Sequence, residues 1–128
     1  MPEKKHYLLT LSAESDLQKA KQWSQARWGR ELTQEYFSDL NRAAEYVAEH
    51  HENLRHREDL TGDTGLSIHP VREHYLIYMP VDKHYIIIVS VLRQSRNIPE
   101  ILEKTAFMIQ REIKTIQQGL KSGMLKLS

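Results

Sequence analysis

The sequence predicts an α+β domain: an N-terminal strand, an antiparallel two-helix hairpin, a three-stranded antiparallel meander completing the sheet, and an extended C-terminal helix. Three observations carry this. Apolar residues recur at helical spacing from Leu17 to Val47, with Gly29 between the two halves. Three runs of β-branched and aromatic residues follow between Leu66 and Leu92, separated by polar corners. A stripe with period three and four then runs from Ile101 to Leu120.

The elements follow in order. Tyr7-Leu8-Leu9-Thr10-Leu11 predicts the first strand, within Lys5 to Leu11. Ser12 stands where a helix N-cap belongs, with Glu14 and Asp16 in the first turn. Leu17, Ala20, Trp23 or Ser24, and Arg27-Trp28 continue the first helix, and Gly29 ends it at positive φ. A second helix runs from about Glu31 to His50 with the stripe Leu32, Tyr36, Leu40, Ala43, Ala44 and Val47. Residues 51–65 are polar, with two glycines, and predict a loop. Strands follow from Leu66, from His74 to Tyr78 and from Tyr85 to Leu92, with Asp82-Lys83 as a short connection. Pro80 has no N–H to give a ladder, so its strand end frays or lies at an edge. The run Tyr85–Leu92 lacks alternation, which marks a central strand covered on both faces. Asn97 caps a last helix, with Glu100 three residues on. Its stripe either covers the second face of the sheet or meets another chain.

A length of 128 residues predicts one domain, 1–128, with 103–128 as a helical extension. With 40% hydrophobic and 27% charged residues the composition is that of a globular chain able to bury a core. The absence of cysteine excludes disulfides, thiolate zinc sites and cysteine nucleophiles. The longest apolar run falls well short of the roughly 20 residues that span a bilayer. The lysines near Met1 lead into no signal-type apolar stretch, so a cytoplasmic location is expected. Net charge is +1, but residues 93–128 carry 7 basic against 3 acidic side chains, so positive charge gathers at that end. That charge either meets an anionic partner or solvates a helix face.

Seven histidines invite a metal reading. His50 and His51 are adjacent and point about 100° apart on a helix, and no His-Glu-x-x-His spacing occurs. No metal or other cofactor is expected. Gly-x-Ser-x-Gly and phosphate-cradling glycine loops are also missing. Arg72 precedes one strand and Arg93 ends its antiparallel neighbour, so Arg72, His69, His74, Arg93 and Arg96 could converge at one end of the sheet. Such a cluster could serve ribonuclease chemistry, which needs a base, an acid and a cation at the phosphate, or it could solvate the rim of the sheet. Trp23 and Trp28 are read as anchors of the helical pair.

The order β-α-α-β-β-β followed by a helix, over about residues 5–102, resembles the RelE/ParE toxins of bacterial toxin–antitoxin pairs. Leu11-Ser12-Ala13-Glu14 with Asp16-Leu17 looks like the strand-to-helix opening of that family, and Trp28-Gly29 like the helix junction of its ParE branch. Gly65-Leu66, Pro70, His74, Ile77-Tyr78, Val91-Leu92, Arg96 and Ile98-Pro99 fall where that branch carries its remaining motifs. The chain departs from it at Ser67, His69 and Arg93, where the branch has arginine, phenylalanine and histidine. The resemblance implies a toxin that inhibits DNA gyrase by protein–protein contact and is neutralised by a cognate antitoxin. Target-binding residues would be Arg72, His74, Tyr78, Arg93 and Arg96. Antitoxin-binding residues would be Leu17, Trp28, Tyr36 and Leu40. Two alternatives remain open. One is a RelE-like, metal-independent mRNA interferase acting on ribosome-bound message with Arg72, His74, Arg93 and Arg96. The other is an inactive or repurposed member whose C-terminal helix forms a homodimer or shields the toxic surface.

Overall fold

A computed structural model describes residues 6–54, 65–82 and 85–123. Most of the expected loop, residues 55–64, lies outside the described residues, as do Lys5, Lys83 and the tail 124–128. Strand β1 spans Tyr7–Leu9 and leads directly into helix α1, Leu11–His50, which closes in a 3-10 turn at His51–Asn53. Strands β2 (Ser67–Val71), β3 (His74–Pro80) and β4 (Ile86–Arg93) follow, then helix α2 (Ile98–Ser122). The sheet has the order β1-β4-β3-β2; the β2–β3 and β3–β4 pairs are antiparallel and β1 lies parallel to β4. The sheet is therefore mixed. Helix α1 takes over where β1 ends, and β4 later runs alongside β1 in the same direction.

The expected break between two helices does fall at Gly29, but it is a kink at a single residue within one run, Leu11–His50. Gly29 has φ 83° and ψ 179°, a backbone state open to glycine alone. The kink is sharp: Leu17 and Leu40 line one cavity, whereas a straight helix would hold them about 35 Å apart. The cap is also displaced from the expected Ser12. Thr10 accepts the Ala13 N–H at 3.1 Å while its hydroxyl donates to the Val89 carbonyl at 3.1 Å. Strand β1 ends at Leu9, so the helix starts two residues sooner than the sequence suggests. In the second half of α1, Thr33 rather than Leu32 faces inward; Thr33 is buried and donates to the Gly29 carbonyl at 2.7 Å, while Leu32 is exposed.

Two cores sandwich the sheet. On one face Tyr36, Leu40, Ala44 and Val47 of α1 pack against Leu76, Tyr78, Ile86, Ile88 and Val91. On the other, Ile98, Leu102, Ile109 and Ile113 of α2 pack against Ile68, Ile77, Ile87, Val89 and Leu92. This explains the lack of alternation in β4, whose residues Ile86–Leu92 are all buried. Of the two uses open to the α2 stripe, the structure shows the covering one. Asn97 caps α2 as the sequence predicts, accepting the Glu100 N–H at 3.3 Å, and Gly123 closes it at φ 83°. Pro80 sits at the last position of β3, opposite Ile86. No helix among the described residues is long and apolar enough to cross a membrane.

Candidate functional site

The end of the sheet where β3 begins and β4 stops gathers the arginines. Val71 and His74 face each other across a two-residue turn of Arg72 and Glu73. Arg72 holds φ 52°, the one non-glycine positive φ among the described residues. His74 pairs with Arg93 across the β3–β4 ladder. Arg96 follows in a turn closed by its N–H to the Arg93 carbonyl at 3.0 Å. Arg72, His74, Arg93 and Arg96 therefore share one end, as antiparallel pairing requires. Tyr78 does not join them. It lies four residues along β3, opposite Ile88, with 1% of its surface exposed, and it belongs to the α1-side core.

Gln94 fixes this end in place, and the sequence pattern gave no sign of it. Its backbone N–H donates to the Glu73 carbonyl at 2.8 Å. Its side-chain amide donates to the carbonyls of Arg72 at 2.8 Å and His74 at 3.1 Å. A glutamine in a polar loop looks like any solvated residue until strand register sets three carbonyl groups around it.

Beneath the arginines lies an aromatic cluster. The Tyr36 hydroxyl meets His74 Nδ1, and both side chains are buried. Trp23 stands edge-on to His74 at 5.8 Å and to Trp28 at 5.1 Å, and Trp28 lies 5.4 Å from Tyr36. Burial, helped by the Arg93 guanidinium, lowers the His74 pKa to about 4. Burial pushes the Tyr36 phenol up to about 12. At neutral pH both groups are uncharged, and the imidazole tautomer sets which of the two donates. Guanidiniums cover the outside of the cluster: Arg93 and Arg27 sit over Trp23 at 5.1 and 4.9 Å, and Arg72 sits over Tyr36 at 5.7 Å. Arg72 also pairs with Asp39. Arg96 has neither an ion pair nor an aromatic partner among the described residues. Chemically, this end offers fixed positive charge on a rigid apolar base, while its imidazole and phenol are committed to each other.

The four residues the sequence assigned to antitoxin contact face the sheet. Tyr36 and Leu40 are buried in the α1-side core, and Leu17 and Trp28 pack against it half-buried. Leu17 and Leu40 also line a cavity of about 370 Å³ with Tyr7, Leu9 and Phe37.

The model of the ParE toxin of the type II toxin–antitoxin system, parDE, matches residues 7–98. The chain belongs to the ParE toxin family. The match runs from the first residue of β1 to the first residue of α2, so nearly all of α2 lies beyond it. No curated protein matches this ParE-family chain. Its fold is similar to a solved structure described as a chromosomal ParDE TA system from P. aeruginosa. The TM-score is 0.57 at 15% identity, covering 68% of this chain and 92% of the other.

Proposed function

We propose that this ParE-family toxin acts by binding DNA gyrase, that it cuts no RNA, and that a cognate antitoxin neutralises it. The family membership supports the type II toxin role. The relative's description as a ParDE system supports an antitoxin partner. One observation favours contact over cleavage. The imidazole at the arginine end is buried, uncharged at neutral pH and hydrogen-bonded to a buried phenol. A ribonuclease needs an acid and a base within reach of the 2′-hydroxyl and the leaving oxygen. Arg72, Arg93 and Arg96 then serve as contact residues, with His74 holding the strand end beneath them. Tightly controlled expression in bacteria tests this. Growth arrest with loss of plasmid supercoiling and intact message is the expected outcome. Cleavage of ribosome-bound message, lost with Arg96→Ala, would replace this reading with the interferase one.

A further inference from the structure

Helix α2, most of which lies beyond the family match, forms one wall of a groove of about 1060 Å³. The first half of α1 forms the other wall, and the outer edge of β4 forms the floor. The groove exists because β1 is short. It pairs only with Ile86–Ile88, so among the described residues the β1-side edge of β4 has no strand neighbour from Val89 onward. A bulge follows at that point: Ile77 faces Ser90 and Tyr78 faces Ile88, leaving Val89 unpaired. Asp16 of α1 closes the open edge by accepting the Val91 N–H at 3.0 Å and the Ser90 hydroxyl at 2.7 Å. Glu112 of α2 clasps the start of α1, accepting the Ser12 N–H at 2.7 Å and its hydroxyl at 2.6 Å.

Both acidic side chains of the groove are thus consumed internally. Its basic side chains Lys19, Arg93, Arg96 and Arg111 have no carboxylate partner among the described residues. Its apolar surface is unusual as well. Leu11, Phe107 and Met108 are 74%, 77% and 48% exposed, three of the five large hydrophobic side chains exposed among the described residues. Apolar surface collected in one concave place with unneutralised charge on its rim marks a docking site.

We infer that this groove binds an acidic amphipathic segment of a partner protein, its apolar face on Leu11, Phe107 and Met108 and its carboxylates toward Arg93, Arg96 and Arg111. Residues 124–128 fit poorly by charge, since their side chains include a lysine and no carboxylate. A nucleic-acid strand would satisfy the cations but leave Leu11 and Met108 without apolar partners, and the two groove aromatics it could stack on, Trp23 and Phe107, already carry guanidiniums from Arg27, Arg93 and Arg111. Main-chain addition to β4 is blocked where Asp16 occupies the edge, so side chains carry recognition. An occupant would cover Arg93 and Arg96 as well, and so would compete with whatever macromolecule meets the arginine end. The inference stands apart from the gyrase reading, because Phe107 and Arg111 belong to the groove and not to that end.

The test is a fluorescence anisotropy titration of the full chain. The probe is a labelled peptide of about 18 residues with leucine on one helical face and glutamate on the other. A peptide of the same composition in scrambled order and an oligo-dT strand serve as competitors. Micromolar binding is expected, weakened about tenfold or more by Phe107→Glu or Arg111→Glu and unchanged by Leu32→Glu, which is exposed outside the groove. Circular dichroism and a thermal melt establish that each variant is folded. The scrambled peptide should bind weakly and oligo-dT should not displace the probe. No binding of the ordered peptide, equal binding of the scrambled one, displacement by oligo-dT, or binding indifferent to Phe107 and Arg111 would each overturn the inference.

Discussion

At the scale of single residues, burial rather than charge decides what the candidate site can do. His74 would be the natural acid–base group by residue type, yet the fold shuts it against Tyr36, Trp23 and Arg93. The depressed pKa has a consequence for stability. Between its ordinary value of 6.5 and about 4, the unfolded chain takes up a proton at this position and the native chain does not. The contribution is therefore fully present above pH 6.5 and is lost as pH falls toward 4. Urea unfolding at neutral pH and near pH 4.5 should show wild type losing more stability than His74→Gln. Equal losses would mean His74 is not buried as described. Tyr36→Phe leaves Nδ1 buried without its hydrogen-bond partner and should cost about 1–3 kcal/mol, read as a lower unfolding midpoint. Ser24 gives the opposite sign. Its hydroxyl is buried with no hydrogen-bond partner among the described residues, so Ser24→Ala should stabilise the chain by about 1 kcal/mol.

At the scale of elements, Gly29 and α2 do most to shape the molecule. An added Cβ at Gly29 would meet no atom within 4 Å. Gly29→Ala should then lose about 1–3 kcal/mol through backbone strain alone, with no change in the burial of neighbours. A neutral result by chemical denaturation would show that the kink relaxes into ordinary helix. Much of this level was legible in the sequence. The apolar runs gave the three later strands, and the Asn97–Glu100 signature gave the start of α2. What escaped depends on long-range pairing. Thr10 outcompetes Ser12 as a cap because the Val89 carbonyl sits beside it, 79 positions away. Ser12 is instead drawn to Glu112, 100 positions away. Local spacing carries no trace of either. Tyr78, which the resemblance made a target contact, is buried in the core instead, because register, not strand membership, determines which residues reach the end of a sheet.

At the scale of the whole molecule, two helices sandwich a four-stranded sheet and leave one end of it lined with guanidiniums. The family match accounts for the sheet and α1, and α2 adds a cover for the second face and a wall for the groove. Ile109 and Ile113 fasten that cover, at 3% and 4% exposure. Ile113→Asp should unfold the chain or shift it to aggregates in size-exclusion chromatography, because an unpaired carboxylate there has no partner to offset several kcal/mol of desolvation. The arginine end, by contrast, tolerates change: Arg96 is exposed and supports nothing else, so Arg96→Ala should leave the melting temperature unchanged while weakening function. The most direct test of the account is therefore a supercoiling assay with purified gyrase and increasing amounts of this chain. The account predicts dose-dependent loss of supercoiling, weakened about tenfold by Arg96→Ala; full supercoiling in the presence of excess folded wild-type chain would contradict it.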